Sequence, residues 1–168
     1  MTEVKRMSRI IAVCGKICCG KSYYCDKLKQ EYNAVVLSSD EVMNDLFSHN
    51  NDERHDEIAD SIHRYLHKKA VEIVSAGCNV VLDWGFWRKS DRLAVTEYYR
   101  AYNIDCEWHY IDITDDEWAI NINERNKRIK DGFSSDYYVD EGLFNKVNLL
   151  FEMPEKTEID VWHKFKRE

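Results

Sequence analysis

At 168 residues, with 44% hydrophobic and 12% aromatic content, the chain has the size and composition of a folded globular protein, which excludes a disordered tract. One Pro and six Gly leave no linker to divide it, so residues 1–168 are read as a single domain. The net charge of −7 counts against non-specific binding to long nucleic acid. With no apolar run long enough for a membrane span and no apolar core at the N-terminus, a cytoplasmic protein is expected.

In chain order, Met1 to Ser8 is polar and is expected to fray. Ile10-Ile11-Ala12-Val13-Cys14 is a short apolar block of the kind a buried parallel strand shows. It runs into Gly15-Lys16-Ile17-Cys18-Cys19-Gly20-Lys21-Ser22, which matches G-x4-G-K-[ST], the phosphate-cradling loop of P-loop NTPases, at every defined position. After it, Tyr24, Leu28 and Tyr32 form a stripe at helical spacing. Backbone N–H groups of such a turn, gathered at a helix N-terminus, can hold a polyphosphate. Gly15, Cys18, Cys19, Gly20, Lys21 and Ser22 are therefore the expected nucleotide cradle. Lys21 would reach the β- and γ-phosphates, and the Ser22 hydroxyl would ligate Mg²⁺. The bland alternative is a glycine turn without a ligand.

The six cysteines have neither C-x2-C pairs nor metal-ligand spacing, so most are read as small hydrophobes. Cys18 and Cys19 stand apart because a helix N-terminus and nearby cations lower a thiol pKa. Oxidation or alkylation there is expected to block nucleotide binding.

Ala34 to Ser38 reads as a second buried strand, followed by a helix over Glu41 to Phe47. Asp40 lies beyond the strand's carboxyl end, where ligands gather in open α/β sheets. It is a candidate catalytic residue or the cap of that helix, and the two roles are compatible. Asn50 to Glu57 is a charged turn. The stripe Ile58, Ile62, Leu66, Ala70, Ile73, Val74 predicts a helix to Ala76 that Gly77 ends in a left-handed cap. His63 and His67 stand at i, i+4 without the Glu of a zinc helix, which places them on a solvated flank.

Asn79 to Asp83 is an apolar strand ending in an acid, the expected second holder of Mg²⁺. Trp84, Trp87 and Arg88 follow in a loop and are read either as core or as a wall for the substrate. Ser90 is the expected cap of a helix to Tyr102, with Leu93, Val95, Tyr98 and Tyr99 partly inward. Cys106 to Ile111 is a further strand, and a helix then runs to about Lys130. Arg125 and Arg128 share a face at i, i+3. That face is either solvated or part of a lid that carries both arginines over the γ-phosphate and continues through Asp131 to Ser135. A helix over Glu141 to Phe151, a closing strand over Ile159 to Trp162 and a charged tail complete the chain. Alternation of strand and helix predicts an α/β fold, a three-layer α/β/α sandwich on a parallel sheet with right-handed crossovers and a helical lid.

The phosphate loop, Ser38-Ser39-Asp40-Glu41, Leu82 to Trp87, Arg125 to Arg128 and Phe151 to Pro154 together resemble the small P-loop kinase-like ATP-binding proteins grouped with polynucleotide kinase, zeta toxins and chloramphenicol phosphotransferase. The resemblance implies ATP-dependent phosphorylation of a hydroxyl on a small-molecule or nucleoside-like acceptor. It also implies that Asp40 is the base and that Arg125 and Arg128 clamp the transferring phosphate. Polynucleotide kinase has an Arg shortly after its acid, whereas here Asp40-Glu41-Val42-Met43-Asn44 has none, which counts against a 5′-hydroxyl nucleic-acid acceptor. Related loops often carry Pro-Gly where this one has Ile17-Cys18. An ATP-binding switch without an acceptor is the reading from another class. A GTPase is disfavoured because Asn126-Lys127-Arg128-Ile129 lacks the Asp of N-K-x-D.

Overall fold

A computed structural model describes residues 7–47 and 52–167. Residues 1–6 of the predicted fraying segment Met1 to Ser8, part of the charged turn at 50–51 and the last tail residue lie outside the described residues. Five strands, β1 (Ile10–Cys14), β2 (Ala34–Ser38), β3 (Asn79–Asp83), β4 (Cys106–Asp112) and β5 (Val161–Lys164), form one sheet in the order β2-β3-β1-β4-β5. Every pairing is parallel.

β1 is buried along its whole length, and its period of two divides it between two cores. Ile10, Ala12 and Cys14 face a cluster closed by α2 (Ser39–Leu46), α3 (His55–Ser75) and α4 (Lys89–Arg100). Ile11 and Val13 face a second cluster closed by α1 (Lys21–Glu31), α5 (Asp115–Lys130) and α6 (Glu141–Leu150). The result is the expected three-layer P-loop NTPase fold. No described helix is long and apolar enough to cross a membrane.

β2 and β3 coincide with their predicted bounds, because short apolar runs closed by Ser or Asp leave little freedom in where they end. Gly77, at φ +92°, closes α3 as expected: its N–H reaches Val74 O at 2.9 Å and Cys78 N–H reaches Ile73 O at 3.2 Å. The closing strand begins two residues later than predicted. Lys156–Glu158 forms a 3₁₀ turn inside a capping box, and the Asp160 carboxylate accepts Trp108 N–H at 2.7 Å before the ladder starts.

Three further expectations need correction. Ser90 does not cap α4, whose Lys89 N–H is taken by the Glu152 carboxylate at 2.6 Å. Leu93 is exposed, while Val95 and Tyr99 are buried. His63 and His67 are not on a solvated flank: His63 stacks on Trp84, with ring centres 5.0 Å apart, and His67 Nδ1 pairs with the Tyr99 hydroxyl at 2.7 Å. Among the described residues, no group of three or more His, Cys, Asp or Glu is placed to hold a metal.

Burial, with a further push from His63, lowers the His67 pKa to about 4. An unfolded chain takes up this proton near pH 6.5, so stability is full above that pH and falls as pH drops towards 4. At pH 5 the expected loss from this group is about 2 kcal/mol. Urea midpoints at pH 7 and pH 5, compared with those of His67→Gln, measure it.

Arg92 is 2% exposed, with Nε 3.2 Å from Glu158 and Nη1 donating to Phe86 O and Trp87 O. Glu158→Gln would strand a buried guanidinium and is expected to destabilise the fold by about 3 kcal/mol, read as a shift of the denaturation midpoint.

Candidate active site

The sheet register gathers the site. Val13 pairs with Asp83, and Ser38 also pairs with Asp83. The carboxyl ends of β1, β2 and β3 therefore end in line, at the point where strand order reverses on either side of β1. From these three ends emerge the phosphate loop, Asp40 and Asp83.

The loop's path depends on its glycines. A Cβ on Gly15 would lie 2.7 Å from Cys19 Sγ, and Gly20 takes φ +90° at the start of α1. Cys18 also has positive φ, at 57°, a conformation that favours glycine. The first turn of α1 has neither a side-chain cap nor an acidic residue, so its N–H groups are open to an anion. Helix α5 holds the loop from outside: Trp118 Nε1 donates to Ile17 O at 2.6 Å, and Asn121 Nδ2 donates to Cys18 O at 2.9 Å.

Lys21 Nζ donates back across this loop to Lys16 O at 2.9 Å. Burial pulls its pKa down, but Cys19, Asp83 and Asp40 outweigh that and hold it above the ordinary lysine value. Lys21 is therefore a cation positioned to reach phosphate. Burial raises the Asp83 carboxyl, against the opposing pull of Lys21 and of a hydrogen bond with Ser22. The Ser22 hydroxyl and the Asp83 carboxylate are therefore neighbours beside Lys21. They fit Mg²⁺, which takes few protein ligands and fills the rest of its octahedron with water and phosphate oxygens.

One pocket of about 370 Å³ unites Cys18, Gly20, Lys21 and Ser22 with Asp40, Arg125 and Arg128. The residues expected to be catalytic thus line a single cavity, although they come from distant parts of the chain. Asp40 is not the cap of α2. The Ser38 side chain accepts Glu41 N–H at 3.3 Å, and Asp40 lies exposed in the first turn. Arg125, half-buried, and Arg128, exposed, both line this pocket from the last turns of α5.

The expected substrate wall is corrected. Trp84 is 7% exposed and packs between His63 and Phe86 as core. Trp87 is half-buried against the cluster on the α1 side, and Arg88 is exposed at the start of α4. None of the three lines the pocket. The expected lowering of the thiol pKa is corrected as well. Cys19 is fully buried, and burial raises the pKa of both Cys18 and Cys19 despite Arg125 and Lys21 beside the former and Lys21 beside the latter. Desolvation wins over the helix terminus, so these are not activated thiols.

Sequence reasoning missed Tyr23, Asn121, Glu124 and Asp136, which also line the pocket, as does Ser134 from the segment expected to continue the lid. Asn121 was within reach, since it stands at i−4 from Arg125 on the same helical face. Asp136 lies just beyond the expected lid segment, in a stretch without periodicity, and nothing in its spacing marks it. Asn126 serves the structure: its amide donates to Val139 O at 2.7 Å and accepts Val139 N–H at 2.8 Å.

A parallel α/β/α sheet, a glycine-bounded anion cradle with its lysine, and arginines carried over it on a helix define a P-loop, kinase-like nucleotide-binding protein. The chain belongs to the AAA domain family designated AAA_33, whose model matches residues 10–147. No curated protein matches it at a significant level.

Several solved structures share the fold. A putative kinase from Chloroflexus aurantiacus J-10-fl has a TM-score of 0.72 at 16% identity, over 95% of this chain and 88% of that one. APS kinase from Mycobacterium tuberculosis, solved with AMPPNP and APS, has a TM-score of 0.66 at 14% identity, over 96% and 91%. A gluconokinase from Sinorhizobium meliloti 1021 has a TM-score of 0.65 at 13% identity, over 97% and 86%.

Proposed function

We propose that this protein is a Mg²⁺- and ATP-dependent phosphotransferase that moves the γ-phosphoryl group to a hydroxyl of a small-molecule or nucleoside-like acceptor. The observation that carries this reading is the single pocket holding the phosphate loop, Asp40, Arg125 and Arg128 together. The kinases that share the fold support it, because a sugar kinase, a gluconokinase and an APS kinase are among them.

In this mechanism the loop N–H groups and Lys21 hold the triphosphate, and Ser22 and Asp83 would hold Mg²⁺, which would supply charge neutralisation on the phosphate oxygens. Asp40 orients the acceptor hydroxyl and takes its proton. The hydroxyl oxygen forms its bond to the γ-phosphorus as the bond to the β–γ bridging oxygen breaks, and ADP leaves. Arg125 and Arg128 stabilise charge on the equatorial oxygens. The protein does little covalent chemistry, so alignment and electrostatics carry the rate.

A nucleic-acid end acceptor would need a basic groove around Arg88, Arg92 and the lid. Arg92 is instead buried and paired with Glu158, which removes a central cation from that groove.

The test is Mg-ATP with a pooled panel of nucleosides, aminoglycosides and other hydroxylated antibiotics, sugars and 5′-hydroxyl oligonucleotides, read by mass spectrometry for phosphorylated products. A product in one of the small-molecule classes is expected. Phosphorylation of the oligonucleotides alone would overturn the acceptor reading.

A further inference from the structure

The pocket that is to hold a polyanion carries acids of its own. Of the three carboxylates lining it, Asp40 stands at the end of β2, and Glu124 is engaged by Arg167, whose Nη1 lies 3.1 and 2.9 Å from its two oxygens. Asp136 is the third. Its Oδ2 lies 3.8 Å from Arg125 Nη2, with Arg125 30% and Asp136 49% exposed.

This pairing is built into the lid. α5 ends in a left-handed Gly132, at φ +77°, where Gly132 N–H reaches Ile129 O at 3.1 Å and Phe133 N–H reaches Arg128 O at 2.8 Å. The other end of the loop is held at Val139 by both polar atoms of the Asn126 amide. Between these anchors the Ser134 hydroxyl donates to Asp136 Oδ2 at 2.8 Å and accepts Asp136 N–H at 3.2 Å. Asp136 is thus presented next to Arg125 by a loop tied at both ends to the helix that carries it.

We propose that Asp136 is a positioning residue that stands in for the γ-phosphate: it neutralises Arg125 when the site is empty or holds a diphosphate, and yields Arg125 to a triphosphate. The proposal rests on the reading of Arg125 as a clamp on the transferring phosphate. A γ-phosphate that takes the Arg125 Nη2 group competes with the Asp136 carboxylate for it, whereas a diphosphate leaves the pair intact. Asp136 therefore weakens ATP binding selectively. After transfer it recaptures Arg125, which favours the ADP-bound state from which product departs. By this account the acid sets how the site discriminates ATP from ADP.

The test is calorimetric titration of the full chain with Mg-ATP and Mg-ADP, without acceptor, for the wild type, Asp136→Asn, Arg125→Gln and the double variant. The amide of Asp136→Asn still accepts from Ser134, and circular dichroism verifies the fold of each variant. Asp136→Asn is expected to tighten ATP about 5-fold, the scale of an exposed ion pair, and to change ADP less than about 2-fold. In the Arg125→Gln background the same substitution should leave both affinities unchanged. Glu124→Gln, which removes an equal charge already engaged by Arg167, should not alter the ATP-to-ADP ratio.

Equal tightening of ATP and ADP, or persistence of the ATP effect without Arg125, would mean that Asp136 acts only through its general field, and the proposal would fall. A wild type that binds neither nucleotide overturns the functional reading and this proposal together. Tight ATP binding with an unchanged ratio in Asp136→Asn overturns this proposal alone.

Discussion

Replacing Arg125 and Arg128 together by Gln is expected to slow phosphoryl transfer by roughly 10³-fold or more, the lower end of what arginines on a transferring phosphoryl group contribute. Both guanidinium groups line the pocket with Lys21 and Ser22, and both come from the last turns of one helix. The loop N–H groups and Lys21 remain in the variant, so ATP should still bind. The loss should fall mainly on the transfer rate, because the arginines oppose charge that spreads onto the equatorial oxygens as the bridging bond breaks. Acceptor-dependent ADP formation under saturating ATP measures it. A loss of less than about 10-fold would return these arginines to a solvated face.

Asp40→Asn is expected to reduce transfer by at least about 10²-fold, the usual scale for loss of a general base, while ATP affinity is retained. The structure makes this a clean substitution. Ser38, not Asp40, caps α2, so the helix keeps its cap hydrogen bond. Loss of one first-turn acid costs the helix about 0.3–1 kcal/mol through its dipole, too little to unfold the element that presents the site. Asn keeps the shape and can still accept a hydrogen bond, but it takes no proton at neutral pH. Calorimetry with ATP and a transfer assay on the same preparation separate the two effects, and an unchanged transfer rate would remove Asp40 from the chemistry.

Most of what places the site is local in the chain. The phosphate loop is contiguous, and the runs ending at Ser38 and Asp83 are short and apolar, so sheet order and register bring their ends together. Arg125 and Arg128 were legible because helical spacing puts them on one face.

What the sequence left hidden depends on partners far along the chain. The cap of α4 comes from Glu152, and α2 is capped by Ser38, one of two adjacent serines that are equally good caps on composition. Trp84 looked like a ligand wall because it follows Asp83. It is core because His63 from α3 stacks on it. The thiol expectation weighed charge and helix terminus but had no measure of desolvation, which dominates at Cys18 and Cys19. Asp136 was invisible for a different reason: a loop has no periodicity, and its position is set by the Gly132 turn and the Asn126 amide.

A site that transfers phosphate to an acceptor differs measurably from a switch that hydrolyses ATP alone. The most direct measurement is ADP release from Mg-ATP with and without the acceptor that the panel identifies, for the wild type and Asp40→Asn in parallel. Little turnover is expected without acceptor, with a large rise on its addition and loss of that rise in Asp40→Asn. Slow ADP release at one rate, with or without any acceptor and indifferent to Asp40, would contradict that expectation.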